Sequence, residues 1–403
     1  MANNNENKIL NVPHLRFPEF SGEWDSFKLV ELGKFIGGGT PSSSNLSFWT
    51  GSIPWISSSD IKEDNINNIS ISRYITEDAI EKSATKYCPA PVILIVSRVG
   101  VGKVALSHTS LCTSQDFCNI IDIKCHPVFL SYNLLRTMKR KSREVQGTSI
   151  KGITSDELQK IRVFIPKNKD EQNKISNLLT LLDERIVTQN KIIYKLKSLI
   201  RGIMVELQKR GLSNGTWKKV LLSNVLTERN ELNKSLYPVY SVSVIQGIVN
   251  QMEYLGRSFA ASDTSKYHVV HYGDLVYTKS PTGSFPYGII KQSYNQNEVA
   301  VSPLYGVYEP KTFSTGVFLH EYFKSELNTL NYLHPLVQKG AKNTINIANQ
   351  RFLESYVAIP SNANELLAIS KLLCSLNTKL EFLQNILKQS QGQKQYLLRQ
   401  MFI

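Results

Sequence analysis

The chain is written twice. Near its start stands Gly22-Glu-Trp24-Asp-Ser-Phe-Lys-Leu29-Val-Glu-Leu32, and past its middle Gly215-Thr-Trp217-Lys-Lys-Val-Leu-Leu222-Ser-Asn-Val225. Each is a glycine, a tryptophan and a short amphipathic run, and the offset is 193 residues (217 − 24). Later, Arg162-Val-Phe-Ile165-Pro166 is matched by Tyr356-Val-Ala-Ile359-Pro360 at an offset of 194 (360 − 166). A glycine-led polar loop precedes each, Gly147-Thr-Ser-Ile-Lys-Gly-Ile153 and Gly340-Ala-Lys-Asn-Thr-Ile-Asn-Ile347. Spacing is kept while residue identity is mostly lost. A duplicated fold with divergent surfaces is the architecture this permits.

After each Ile-Pro comes a long helical pattern in heptad register. Leu179, Ile186, Ile193, Ile200 and Leu207 recur every seven residues, with Ile175, Leu182, Gln189, Leu196 and Ile203 interleaved at the 3/4 spacing. Adding 194 yields Leu373, Leu380, Leu387, Lys394 and Met401, with Ile369, Leu376, Leu383, Ser390 and Leu397. The register persists, weakened only at Ser390 and Lys394. A strict seven-residue period sustained this long predicts a coiled coil rather than an ordinary amphipathic helix. The obvious partner for each helix is the other, with Ile175, Leu179, Leu182, Ile186, Ile193, Leu196 and Ile200 meeting Leu373, Leu376, Leu380, Leu383 and Leu387. Antiparallel pairing of these helices predicts a rod roughly 60 Å long at about 1.5 Å per residue, with one globular half at each end.

The halves themselves mix short β-rich runs (92–96, 102–106 and 119–123; 239–244, 275–278 and 288–290) with glycine and proline turns. The expected fold class is therefore α+β: two mixed globular domains joined by two long antiparallel coiled-coil spacers, with a pseudo-twofold internal repeat. At 403 residues the chain exceeds one comfortable core, which agrees. Lys and Arg outnumber Asp and Glu by 47 to 33, and such an excess suits a polyanion such as nucleic acid, or simply keeps a cytosolic protein in solution. Five cysteines (Cys88, Cys112, Cys118, Cys125, Cys374) form no Cys-x-x-Cys pair, which argues for reduced thiols, and Cys118, Cys125 and His126 match no tetrahedral zinc spacing. The polar start, residues 1–8, and the lack of a long apolar run predict a cytoplasmic location without membrane attachment.

Two stretches imitate catalytic motifs. Ser97-Arg-Val-Gly100-Val-Gly102-Lys103-Val104 resembles a nucleotide-binding P-loop, but the first glycine and the Ser or Thr after the lysine are both missing. A glycine turn between two strands is the better reading. Phe35-Ile-Gly37-Gly-Gly39 matches a methyltransferase cofactor loop, yet no Asn/Asp-Pro-Pro-Tyr/Phe follows to hold a base. With no paired-carboxylate nuclease core, His-Glu-x-x-His or triad spacing either, the chain reads as recognition without chemistry. In register with the first imitation, Leu275-Val-Tyr-Thr278-Lys279-Ser-Pro-Thr-Gly283-Ser-Phe-Pro-Tyr-Gly288-Ile-Ile290 repeats the strand, the cation and the glycine turn, but not the Gly-Lys. The shared feature is Ser97-Arg98 against Thr278-Lys279, a hydroxyl and a cation suited to phosphate or guanine.

With the doubled layout, Val12-Pro-His-Leu-Arg16-Phe17-Pro18-Glu-Phe20-Ser-Gly22-Glu-Trp24, Gly38-Gly39-Thr40-Pro41-Ser42 and Trp49-Thr-Gly51-Ser-Ile53-Pro54-Trp55-Ile56-Ser57 complete a pattern that resembles the specificity subunit of type I restriction-modification enzymes. The resemblance implies a polar lead-in at 1–23, target-recognition domains at 24–168 and 212–361, and helical spacers at 169–211 and 362–403. It also implies double-stranded DNA as ligand, with two modification subunits that use S-adenosylmethionine and restriction subunits that use ATP and magnesium as partners. No cofactor, metal or catalytic residue is then expected in this chain. Expected DNA contacts are Ser97, Arg98, Lys103, Thr278, Lys279 and Lys291, with Lys62, Lys151 and Lys342 as weaker candidates. The second domain departs from the pattern, since 227–240 lacks the Gly-Thr-Pro-Ser and Trp-x-Gly-x-Ile-Pro-Trp stretch. Two rivals remain: an independent NTPase or methyltransferase built on the imitated motifs, and a coiled-coil scaffold whose domains bind no DNA.

Overall fold

The computed structural model describes residues 10–145, 152–257, 260–339 and 345–403. The chain divides into two compact units, Met1–Asn190 with Ile386–Ile403, and Lys191–Asn385.

In the first unit the run Val92–Val96 is buried at every position. Continuous rather than alternating hydrophobicity means both faces are covered. Ile93 and Ile95 enter one core with Trp24, Phe129, Leu134 and Met138, while Val92, Leu94 and Val96 enter another with Ile56, Cys88 and Leu111. This strand is inside a four-stranded antiparallel sheet ordered Lys34–Gly37, Phe117–Ile121, Val92–Val96, Val104–Ser107. A second four-stranded sheet, ordered Arg73–Ile75, Ile53–Ile56, Leu111–Thr113, Tyr87–Cys88, contains a parallel pair at Trp55 and Cys112.

The second unit repeats the first sheet strand for strand: Leu226–Glu228, Gly306–Pro310, Leu275–Tyr277, Ile290–Gln292, again antiparallel throughout. Its other strands depart from the first unit. Tyr240–Ser243 pairs with Gly247–Asn250 and His268–Val270 with Val299–Val301, in place of the second four-stranded sheet. That is where the sequence lacks the tryptophan-rich stretch, whose Trp55 lies on the Ile53–Ile56 strand of the first unit.

The two sequence repeats are paired strands. Asp25, just after the first tryptophan, lies opposite Ile165, just before the first proline; Trp217 lies opposite Pro360. The register is the same in both units. The chain therefore enters and leaves each globular part through one strand couplet, directly beside the start of a long helix. Those helices run Lys169–Ser213, of 45 residues, and Ala363–Gln400, of 38. No helix among the described residues is long and apolar enough to cross a membrane.

Within the first unit, Ile175, Leu179, Leu182 and Ile186 of the first long helix share a core with Leu397, Leu398, Met401 and Phe402 at the end of the second. Within the second unit, Leu196, Ile200, Met204 and Leu207 share a core with Leu366, Ile369, Leu373, Leu376 and Leu380. Ile193 is buried, and Leu383 and Leu387 are half-buried. Ser390 and Lys394, which weaken the heptad pattern on paper, are both buried in the structure.

Candidate functional site

The stretch that imitates a P-loop is the tip of a hairpin. Val92–Val96 and Val104–Ser107 are antiparallel neighbours with Ile95 opposite Val104, and Gly100 and Gly102 turn the chain with φ of +88° and +109°. A phosphate cradle is followed by a helix N-terminus, and a strand follows here. Ser97 is buried, its hydroxyl donating to the Asp116 carbonyl at 3.1 Å while its own carbonyl accepts from the Ile153 amide at 2.7 Å. Lys103 is half-buried and folds back so that Nζ donates to the Ser58 carbonyl at 3.1 Å. Arg98 and Lys62 are exposed.

Lys103 thus ties the hairpin to a turn that carries another cation. Arg73 donates from Nη2 to Ser57 Oγ at 2.8 Å, pairs with Asp60, and lies 4.6 Å from the Trp55 ring centroid. The Trp55 indole donates to the Gly39 carbonyl at 3.0 Å and meets Trp49 edge-on. The first unit therefore gathers Arg73, Lys103 and a serine-rich turn, residues 57–59, on neighbouring segments. Nothing in the local pattern marks Arg73; only its stacking on a tryptophan that the motif does contain reveals it.

In the second unit the matching hairpin is built differently. Thr278 is buried and its hydroxyl accepts from the Ile289 amide at 3.1 Å. Lys279 is half-buried in a left-handed conformation (φ +58°), and burial holds its ammonium below the ordinary value. Lys291 is 6% exposed, and burial, with Lys324 nearby, pushes its ammonium down to about 8. Beside it His320 is kept neutral by burial, its Nδ1 accepting from the Gln292 amide at 2.8 Å.

These placements correct part of the expected contact set. Ser97 spends its hydroxyl on the Asp116 carbonyl and Thr278 on the Ile289 amide of its own hairpin, and Lys291 lies inside the unit, so none of the three presents a free group at the surface. Arg98 and Lys62 remain exposed, and Lys103 and Lys279 half-exposed. Lys151 and Lys342 lie outside the described residues. Among the described residues no group of three His, Cys, Asp or Glu is placed to hold a metal ion.

A second set of functional side chains mounts each globular part on its helix. In the first unit Glu171 is 1% exposed and accepts from the Trp24 indole at 3.2 Å and from Arg16 through both oxygens, at 2.7 and 2.8 Å. In the second unit the Trp217 indole donates to Glu365 at 2.8 Å. The glutamates stand 194 residues apart (365 − 171), each in the first turn of its helix, where the positive end of the helix dipole favours a carboxylate. Each tryptophan also meets a phenylalanine edge-on, Trp24 with Phe129 at 5.6 Å and Trp217 with Phe318 at 5.3 Å. The tryptophans are visible in the repeat; their glutamate partners, in a run of ordinary charged residues, are not.

The described residues thus form a duplicated α+β framework with two long heptad helices and a cation-bearing hairpin in each unit. Residues 21–198 match the family model described as Type I restriction modification DNA specificity domain. Two curated relatives agree: the MjaIX specificity subunit of Methanocaldococcus jannaschii, 33% identical over 186 residues, and the EcoR124I/EcoR124II specificity subunit of Escherichia coli, 34% identical over 177 residues. These matches take in 43% and 42% of this chain and 42% and 43% of the relatives, so under half of either relative's length is spanned. The fold extends further. The S subunit of a type I restriction-modification system from M. genitalium superposes with a TM-score of 0.62 at 15% identity, covering 97% of this chain and 99% of its own. A chain from a study of assembly and conformational transition in the type I system gives 0.51 at 12% identity, covering 93% and 95%.

Proposed function

We propose that the chain is the sequence-reading subunit of a type I restriction-modification complex. Each unit reads one half of a two-part, asymmetric DNA target, and the paired long helices set the gap between the halves. The single observation behind this is the repeated mounting with unlike tips: the same sheet order and the same tryptophan–glutamate anchor recur, while the hairpins and flanking strands differ. Phosphate contacts from the basic surface supply affinity without sequence information, and a few loop side chains choose bases. Arg98, Lys62 and Lys103, with Arg73 beside them, are assigned to the first half-site, and Lys279 to the second.

On this reading the reactive groups belong to other polypeptides. Two modification subunits bring S-adenosylmethionine and methylate adenine; restriction subunits bring ATP and magnesium; the assembly works on DNA in the cytoplasm. The test is a map of N6-methyladenine across a host genome with and without this gene, the partner genes being present. The expected result is one asymmetric motif, two specific blocks around a fixed unspecific gap, whose methylation disappears with the gene. A contiguous or palindromic motif, or an unchanged map, overturns the proposal.

A further inference from the structure

The two helix seams are interchangeable almost everywhere. Ile175, Leu179, Leu182 and Ile186 in the first unit correspond at an offset of 194 (369 − 175) to Ile369, Leu373, Leu376 and Leu380 in the second, and each set lies in its unit's core. Apolar residues of such similar size cannot tell one long helix from the other. A second copy of this chain would offer each helix its own twin as a partner.

Apart from the neutral exchanges Leu196 for Ser390 and Gln189 for Leu383, a buried charged pair breaks the equivalence. Asp183 and Lys394 are each 2% exposed and form an ion pair inside the first unit. The Tyr132 hydroxyl donates to Asp183 at 2.9 Å, and Lys394 also reaches the Asp64 carbonyl and lies 5.5 Å from the Tyr132 ring centroid. Asp64 in turn pairs with Lys139. In the second unit the corresponding positions are Asn377 (183 + 194) and Ile200 (394 − 194). Ile200 is in the core, and Asn377 is occupied with Glu321 and Lys324.

We infer that the Asp183–Lys394 pair makes each long helix choose the other and refuse a second copy of itself. If two first helices paired, Asp183 would face Ile200 of the other copy, a buried carboxylate with no cation. If two second helices paired, Lys394 would face Asn377, a buried ammonium with no anion. Only the unlike pairing satisfies both charges. Removing one partner of a buried ion pair is far more costly than replacing both by matched neutral residues, so the pair discriminates strongly while adding little to stability.

The test uses full-length chains carrying two different tags, co-expressed and examined by light scattering and by cross-recovery of the tags. The wild type and the charge-exchanged D183K/K394D are expected at the single-chain mass of 45.6 kDa, with no cross-recovery. D183N/K394I, which copies the second unit's residues into the first, is expected to fold and to shift toward twice that mass with both tags recovered together. I200K/N377D, which copies the charges into the second unit, makes the seams equivalent in the opposite way and is expected to do the same. A folded D183N/K394I or I200K/N377D that stays at single-chain mass overturns the inference. So does cross-recovery of the wild type, or failure of D183N/K394I to fold, since the pair would then serve stability rather than choice of partner.

Discussion

Lys291 shows how far a residue's place can depart from its appearance in the sequence. It follows a strand and a glycine turn, as a surface cation would, yet the Ile290–Gln292 strand is buried at all three positions, and the lysine faces Glu321 and Lys324 from within. Its ammonium titrates near 8 instead of the ordinary 10.5. Below pH 8 the folded chain keeps a buried charge that the unfolded chain holds in water. Between about 8 and 10.5 the unfolded chain binds the extra proton, so stability rises with pH across that window. Lys291→Met is expected to stabilise the chain at pH 7 by up to about 3 kcal/mol and to flatten the rise. Urea midpoints at pH 7 and 9.5 check this; an equal rise in both proteins would refute it. The exposed Arg98 and the buried Ser97 are sequence neighbours of equal promise on paper. Only the pairing of Ser97 with Asp116 and Ile153, contributed by distant segments, separates them.

Elements were legible where a repeated period or a hard steric rule governs them. Val92–Val96 is a strand because five apolar, mostly β-branched residues between Pro91 and a polar turn fit little else. The strand placed at 119–123 by its sequence in fact runs Phe117–Ile121, since tertiary pairing with Lys34–Gly37 sets its ends. The glycines of Phe35-Ile-Gly37-Gly-Gly39 have a structural cause. A Cβ on Gly38 would stand 2.0 Å from the Ser114 carbonyl oxygen, and one on Gly39 2.3 Å from the Ala84 backbone. Both glycines allow close backbone approach, and Gly39 carries the carbonyl that receives the Trp55 indole. Gly39→Ala is expected to cost about 3 kcal/mol by forcing the loop off the sheet. Gly37→Ala, where a Cβ meets nothing within 4 Å, serves as the control. Equal thermal melts for the two variants would show that this approach is unimportant.

At the scale of the molecule, the duplication and both spacers were legible because heptad spacing survives changes of identity, and Ile-Pro marks each helix start. The second unit's flanking strands were not, since no motif remains there, and neither were the glutamate anchors, whose partners come from another segment. If the paired helices set the gap, removing 187–193 and 381–387 together deletes one heptad from each seam. That shortens the seam by about 10 Å, or roughly three base pairs. The methylated motif is expected to keep both specific blocks and to lose base pairs only from its gap. A map with altered blocks and the old gap would refute the assignment.

The strand couplet at the foot of each unit has one more consequence. Because entry and exit are stitched together before the helix begins, insertions and losses anywhere between them are absorbed locally and never transmitted to the mounting. If each unit reads DNA as proposed, such a part can change its target at the pace of its loops, while the joint that holds it stays fixed.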